Sequence, residues 1–315
     1  MTARTTVVVP VRNRLALTRQ SVEALEAGYR DREDIELVVV DDGSADKTPE
    51  FLESAPGVRV VRHDKSAGFA ASCNDGAAEG SGDYIIFLNN DAYGKDGWLD
   101  ALVSYADANE HAAIVGARLL YQNETIQHAG IVIDGDLLPR HVYRGFPSNH
   151  PAVVKPRRFQ AVTAACALVR RSIFEELDGF DTGFLNGFDD VDLCLRAAER
   201  GAEIHYCPES VLVHLEAATR GEDAALFRRN AERYLERWGD RLRRDDLDAY
   251  VEDGLLEIVP GDLYPRELRV SPRLAAVKET DPYELLEERS RQVFDLLKEN
   301  AALRLRLVED GLDGT

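Results

Sequence analysis

The sequence predicts an α/β fold: a mostly parallel sheet flanked by helices, with a helical C-terminal extension. Three observations carry that reading. Residues 5–9 (TTVVV), 35–40 (IELVVV) and 84–88 (YIIFL) are short, mostly apolar runs, the pattern of strands buried on both faces of a sheet. Stretches with helical spacing lie between them, which is the alternation of a doubly wound sheet. Polar residues follow the strands at Asn13, Asp42 and Asp91, where open α/β sheets hold their ligands.

Each element has its own signal. Pro10 and the turn Arg12-Asn13-Arg14 close the first strand; residues 15–25 then place Leu17, Val22 and Leu25 on one helical face. The second strand ends in Asp41-Asp42-Gly43-Ser44, and a helix carrying Phe51 and Leu52 starts near residues 44–46. Residues 58–61 are a third strand, and the glycine turn Ser66-Ala67-Gly68 opens a helix over 67–79. The fourth strand stops at Asn89-Asn90-Asp91, whose oxygens suit a hard cation such as Mg2+ or Mn2+ and equally suit a plain turn. The first turn, PVRNR, has no GxGxxG, and no GxxxxGK[ST] occurs, which argues against a dinucleotide cofactor and a P-loop.

Further on, residues 98–106 read as a helix, 113–115 as a strand, 125–133 as extended and 163–169 as β-like. His128 is expected to pack. A glycine-rich passage (Gly179, Gly183, Gly187) leads into Asp189 and Asp190 at the start of a helix with Val191, Leu195 and Ala198 on one face. Carboxylates there either cap the helix or serve chemistry, since the N-terminal N–H groups favour their ionised form. Two short strands follow, 204–206 and 211–213, the second ending at His214. Helices are expected over 226–238, 242–250 and 283–308. The last carries an apolar stripe (Leu286, Val293, Leu297, Ala301, Leu305, Val308) to be covered by the body or by a second copy, and a homodimer is favoured.

Composition narrows the function. No apolar run approaches the roughly 18–20 residues that span a bilayer, and the N-terminus lacks a signal-peptide layout. Four separated cysteines without a CxxC pair read as reduced thiols of a cytoplasmic protein. A net charge of −19 argues against broad contact with nucleic acid or an anionic membrane surface, and without a membrane-spanning run any membrane contact is expected to be peripheral. One basic island breaks the acidity: residues 137–174 hold no Asp or Glu but include Arg157 and Arg158, either a phosphate site or a solvated loop.

Taken together, VVVPVRNR, ELVVVDDGSADKT, SAGFAASCNDGA, GDYIIFLNNDA, GFDTGFLNGFDDVDLCLRAAERG and VLVHLEA resemble the inverting family 2 glycosyltransferases, rhamnosyltransferase-like enzymes of the GT-A (Rossmann-like) fold. The likeness spans residues 5–216. It implies a catalytic domain over 1–218 and leaves 219–315 as a mainly helical region suited to oligomerisation. By the same likeness Asp42 hydrogen-bonds the nucleotide base, with Pro10, Val11 and Arg12 lining the pocket, and the segment from Gly68 to Asn74 passes the ribose. Asn89, Asn90 and Asp91 occupy the DxD position; Asn89 replaces its first aspartate, leaving Asp91 the charged ligand of Mg2+ or Mn2+, joined by His214. Asp190 is the implied general base, with Asp189 second, and Arg157 or Arg158 is a further cation for the leaving phosphate. The implied donor is a UDP or dTDP sugar and the acceptor a glycan or a lipid-linked glycan. A nucleotidyltransferase and a non-catalytic sugar-nucleotide binder are the rivals; the first strand's turn lacks the glycines of the former.

Overall fold

The computed structural model describes residues 4–215, 224–259 and 267–271. The first strands and helices follow the local pattern: β1 (Thr5–Val11), α1 (Leu15–Tyr29), β2 (Ile35–Asp41), α2 (Thr48–Glu53), β3 (Val58–Arg62), α3 (Phe69–Glu79) and β4 (Tyr84–Leu88). After them come β5 (Ala92–Gly94), α4 (Trp98–Ala108), β6 (Ala112–Leu120), β7 (Ile126–His128), β8 (Ile131–Ile133), β9 (Pro139–His141) and β10 (Arg157–Arg158). The chain continues through β11 (Cys166–Arg170), α5 (Arg171–Glu176), α6 (Asp189–Glu199), β12 (Glu203–His214), α7 (Ala224–Trp238), α8 (Asp248–Glu252), β13 (Leu256–Val259) and β14 (Glu267–Val270). A ten-stranded sheet runs in the order β10-β12-β6-β11-β4-β1-β2-β3, with β5 added to β12 and β7 to β6.

The strands β3, β2, β1 and β4 are mutually parallel. Their alternate side chains serve two cores, as the two-residue period requires. Val8, Val40, Ile85 and Phe87 meet Ala70, Cys73 and Ala77 of α3, Val191 of α6 and Tyr234 and Trp238 of α7. Val7, Val9, Ile86 and Leu88 point the other way, onto Val22 and Leu25 of α1 and Leu99 and Leu102 of α4. Phe87 is fully buried, with its ring 4.9 Å from that of Phe180. Truncating it to alanine should cost about 3–5 kcal/mol. Helix α3 lies close to the sheet because Gly76 has no side chain; a Cβ there would sit 2.4 Å from a methyl of Val8.

Strand β11 runs antiparallel to both β4 and β6, so the sheet is mixed. Its reversal brings its N-terminal approach, Ala164 and Ala165, to the edge where β1, β2 and β4 end. The two short strands expected over 204–213 are one strand, β12, with a register shift between Cys207 and Val211. Pro208 lies in that shift and has no N–H to give the ladder. Because β12 follows β6 along its length, it delivers His214 to the same edge.

The helix expected over 242–250 is confined to Asp248–Glu252. Asp245, 8% exposed, instead accepts the Ile133 N–H through its side chain, a competing bond that holds this stretch extended. The expected domain boundary at 218 falls outside the described residues. Beyond it, Ala231, Tyr234 and Trp238 share a core with α3 and α6. The helix expected over 283–308, and with it the homodimer, also lies outside the described residues. All four cysteines are free and buried. Among the described residues no helix is long and apolar enough to cross a membrane.

Candidate active site

Asp91 and His214 meet because β5 pairs antiparallel with the end of β12, setting Ala92 opposite His214. Asp91 is 2% exposed, and its Oδ1 lies 3.0 Å from His214 Nε2. The Asn89 side-chain amide is 3.3 Å from the same Nε2. His214 Nδ1 is 2.7 Å from Oε1 of Gln127, a residue that the sequence marked only as part of an extended stretch. A neutral imidazole that donates through Nδ1 presents a lone pair at Nε2. A lone pair and a carboxylate oxygen at 3.0 Å repel unless positive charge, a cation or a proton, lies between them.

The spacing fits a cation, since two adjacent ligands of an octahedral ion at about 2.1 Å stand about 3.0 Å apart. No third His, Cys, Asp or Glu joins them among the described residues. Such a sparse protein set suits an ion that takes its remaining ligands from water and substrate phosphates. Asn90 is placed differently: its amide donates to Thr18 Oγ1 at 3.1 Å and braces α1.

The second carboxylate group stands at the N-terminus of α6. Phe188, just before it, adopts φ 68°, a left-handed backbone that bulky residues rarely take and that clusters at functional sites. Its ring is held 5.1 Å from Tyr234 and 5.6 Å from Phe227. Asp189 is 4% exposed; one oxygen accepts the Gly187 N–H at 3.1 Å, and the other is buried without a hydrogen-bond partner. Burial, and then the neighbouring Asp190, push its carboxyl up to about 7. Asp190 accepts N–H groups of Val191 at 2.8 Å and Ala164 at 3.2 Å, and the Thr163 hydroxyl. Burial still raises its carboxyl above the ordinary range. Helix α6 is fixed by the fully buried Asp192, which takes bonds from Arg196, Arg237 and the Trp238 indole.

One segment joins the two ends of the site. Ala164 donates to Asp190, and the next residue, Ala165, accepts the Asn89 N–H at 2.9 Å. Asp190 and the Asn89–Asp91 turn therefore flank the same entry to β11.

At the other side of this edge the Asp42 N–H donates to the Val11 carbonyl at 2.9 Å, so Asp42 and the end of β1 with Pro10, Val11 and Arg12 adjoin. The Asp42 carboxylate accepts from Ser66 Oγ and the Ala67 N–H, both at 2.6 Å, from the Gly68 N–H at 3.1 Å, and pairs with His63 Nδ1 at 2.9 Å. Burial opposes the charge, but these hydrogen bonds outweigh it and hold the carboxyl below its usual range. Gly43 makes the cradle fit: its φ is 71°, and a Cβ would lie 2.8 Å from the Ser66 nitrogen. Asp42 thus shapes the turn ending in Gly68 as well as standing beside the β1 terminus.

Two expectations change. Asn74 lies near Gly68 but commits both ends of its amide to Phe180, at 2.8 and 2.9 Å, tying α3 to the loop before α6. Arg157 and Arg158 are not with the other site residues: they sit on β10, opposite Tyr206 and His205 near the start of β12, whereas His214 is at its end. Arg157 is paired with Asp253 and Glu252, and Arg158 with Glu203, so this part of the basic island is neutralised by the protein itself. His128 packs as expected, fully buried against His141 with their Nδ1 atoms 2.8 Å apart. A cavity of about 750 Å3 opens behind the site, between α3, α5 and the 177–182 loop; Asp91, Asp190 and His214 do not line it.

The architecture is that of GT-A glycosyltransferases. The crystal structure of GalNAc-T7 with UDP, GalNAc and Mn2+ has the same fold, with a TM-score of 0.60 over 75% of this chain and 49% of that one at 18% identity. The chain belongs to glycosyl transferase family 2, whose model matches residues 6–178. It is 34% identical to the O-antigen biosynthesis protein RfbC of Myxococcus xanthus over 71% of this chain and 18% of that protein. It is 25% identical to the N-acetylglucosaminyl-diphospho-decaprenol L-rhamnosyltransferase of Mycobacterium tuberculosis over 61% of this chain and 70% of that one. The chain spans less than half the length of the first curated relatives it matches.

Proposed function

We propose that this chain moves a sugar from a nucleoside-diphosphate donor to a hydroxyl acceptor with inversion at the anomeric carbon. The observation that carries the reading is the segment Ala164–Ala165, which holds the Asp190 carboxylate beside the turn bearing Asn89 and Asp91. Asp190 takes the acceptor O–H proton while that oxygen attacks the anomeric carbon. The bond from anomeric carbon to phosphate oxygen breaks, and its electron pair leaves with the nucleoside diphosphate. Asp189, its carboxyl pushed up to about 7 by burial and then by Asp190, resists placing a second negative charge beside the base. Asp91 and His214, with the Asn89 amide beside them, would hold Mg2+ or Mn2+. When bound, such an ion offsets the charge developing on the leaving phosphate.

Asp42 and the Pro10–Arg12 strand end form the nucleotide side, for a UDP or dTDP donor. Support for UDP comes from the GalNAc-T7 complex, and support for a lipid-linked glycan acceptor from the name of the M. tuberculosis relative. Such an acceptor would be met peripherally at a membrane surface. The test is a screen of UDP-, dTDP- and GDP-sugars with Mn2+, read by thermal shift and by nucleoside-diphosphate release. One donor class should stabilise the protein and be slowly hydrolysed, and Asp190→Asn should stop the hydrolysis while keeping the stabilisation. Release of pyrophosphate instead, or hydrolysis that survives Asp190→Asn, would end the proposal.

A further inference from the structure

We infer that Gln127 is a positioning residue of the cation site, one that sets the tautomer of His214 so that Nε2 is the ligating atom. The inference rests on the reading of Asp91 and His214 as cation ligands. Gln127 lies on β7 and is 4% exposed, a buried amide at the rim of the sheet. Its Nε2 lies 3.3 Å from the His214 main-chain carbonyl, which can only accept, so the NH2 end of the amide faces that carbonyl. The Oε1 end then faces the imidazole, 2.7 Å from Nδ1. That oxygen also only accepts, so Nδ1 carries the hydrogen.

The consequence is at the other ring nitrogen. Nε2, 3.0 Å from Asp91 Oδ1 and 3.3 Å from the Asn89 amide nitrogen, is then the ring atom that carries the lone pair. Without the Gln127 acceptor, the imidazole is free to carry its proton on Nε2 and donate it to Asp91. That hydrogen bond would join the two ligands to each other and leave no place for an ion between them. Gln127 opposes this closure from across 87 residues of sequence. Outer partners of metal-bound histidines act in this way, and their loss typically weakens metal affinity about 10–100-fold.

The experiment titrates Mn2+ alone into the full chain, following the free-ion electron paramagnetic resonance signal, for wild type, Asp91→Ala, Gln127→Leu and Gln127→Glu. Gln127→Leu should weaken Mn2+ binding about 10–100-fold, while Gln127→Glu, which keeps an acceptor at Nδ1, should stay within about threefold of wild type. If Asp91→Ala loses Mn2+ but Gln127→Leu binds it like wild type, the role of Gln127 is overturned and the cation site stands. If wild type binds no Mn2+, or Asp91→Ala binds it equally well, the cation site falls and this inference with it. A measurement on wild type needs no variant to fold: nitrogen-15 shifts of His214 in EDTA, assigned with His214→Ala, should show the hydrogen on Nδ1. A neutral ring with its hydrogen on Nε2 would overturn the inference directly.

Discussion

Asp42 and Asp189 are both buried carboxylates on one edge of one sheet, 6% and 4% exposed, and they are pushed in opposite directions. Burial works against the charge of each. Around Asp42 the Ser66 hydroxyl, two backbone N–H groups and the His63 ring converge, and these bonds hold it ionised. Asp189 has an oxygen with no partner, so burial, and then the neighbouring Asp190, push its carboxyl up to about 7. The difference lies in the number of donors, which decides whether a buried carboxylate is a fixed anion or a group that handles protons.

The largest effect expected from this contrast is at Asp190. Asp190→Asn should lower the transfer rate about 10²–10⁴-fold, with nucleotide affinity unchanged by calorimetry; a normal rate would remove Asp190 as the base. Next comes Asp42→Asn, whose NH2 would face donors in place of an acceptor. It should lose about 2–3 kcal/mol in urea unfolding at pH 7. Equal stability would mean that the four bonds to Asp42 contribute little. In wild type this contribution is present above the ordinary carboxylate range and is lost as pH falls through the lowered folded value.

Asp189→Asn should do the reverse. The native carboxyl binds its proton up to about 7 while the unfolded one releases it near 3.8, so wild-type stability declines as pH rises between those values. The variant should therefore melt about 2–4 °C higher than wild type at pH 8 and nearly level with it at pH 4.5. A lower melting point at pH 8 would show that Asp189 is needed as an anion. The smallest effect is at His63, which bridges Asp42 and Asp75 at 2.9 Å each. Burial would lower its pKa, but the two carboxylates overcome this and raise it above 6.5. Its contribution is full below 6.5 and fades as pH climbs through the raised value. His63→Gln should thus cost no more than about 1 kcal/mol at pH 6 and less at pH 9; a deficit that grows with pH would refute the bridge.

What could be read beforehand was what is local. The runs that became β1, β2 and β4 are apolar over their own length, and their polar stops mark Asp42 and Asp91 without reference to the rest of the chain. The glycine-rich passage before Asp189 was visible too, but not the left-handed backbone at Phe188 that ends it. Gln127 carried no such mark, because a glutamine in an extended stretch looks like any polar strand residue until its partner is known. The basic island misled for the complementary reason: Glu203, Glu252 and Asp253, which neutralise Arg157 and Arg158, are 45 or more residues away.

Sequence by itself determined that a sheet of this kind forms and that carboxylates stand at the ends of its elements, since apolar period and turn chemistry act between near neighbours. Tertiary structure alone decided that β11 runs backwards, that β12 is a single strand reaching the far edge, and that Asn89 and His214 meet across 125 residues. Those outcomes depend on which strands pair and in which direction. Pairing is settled by packing between distant segments, for which a window of sequence holds no signal.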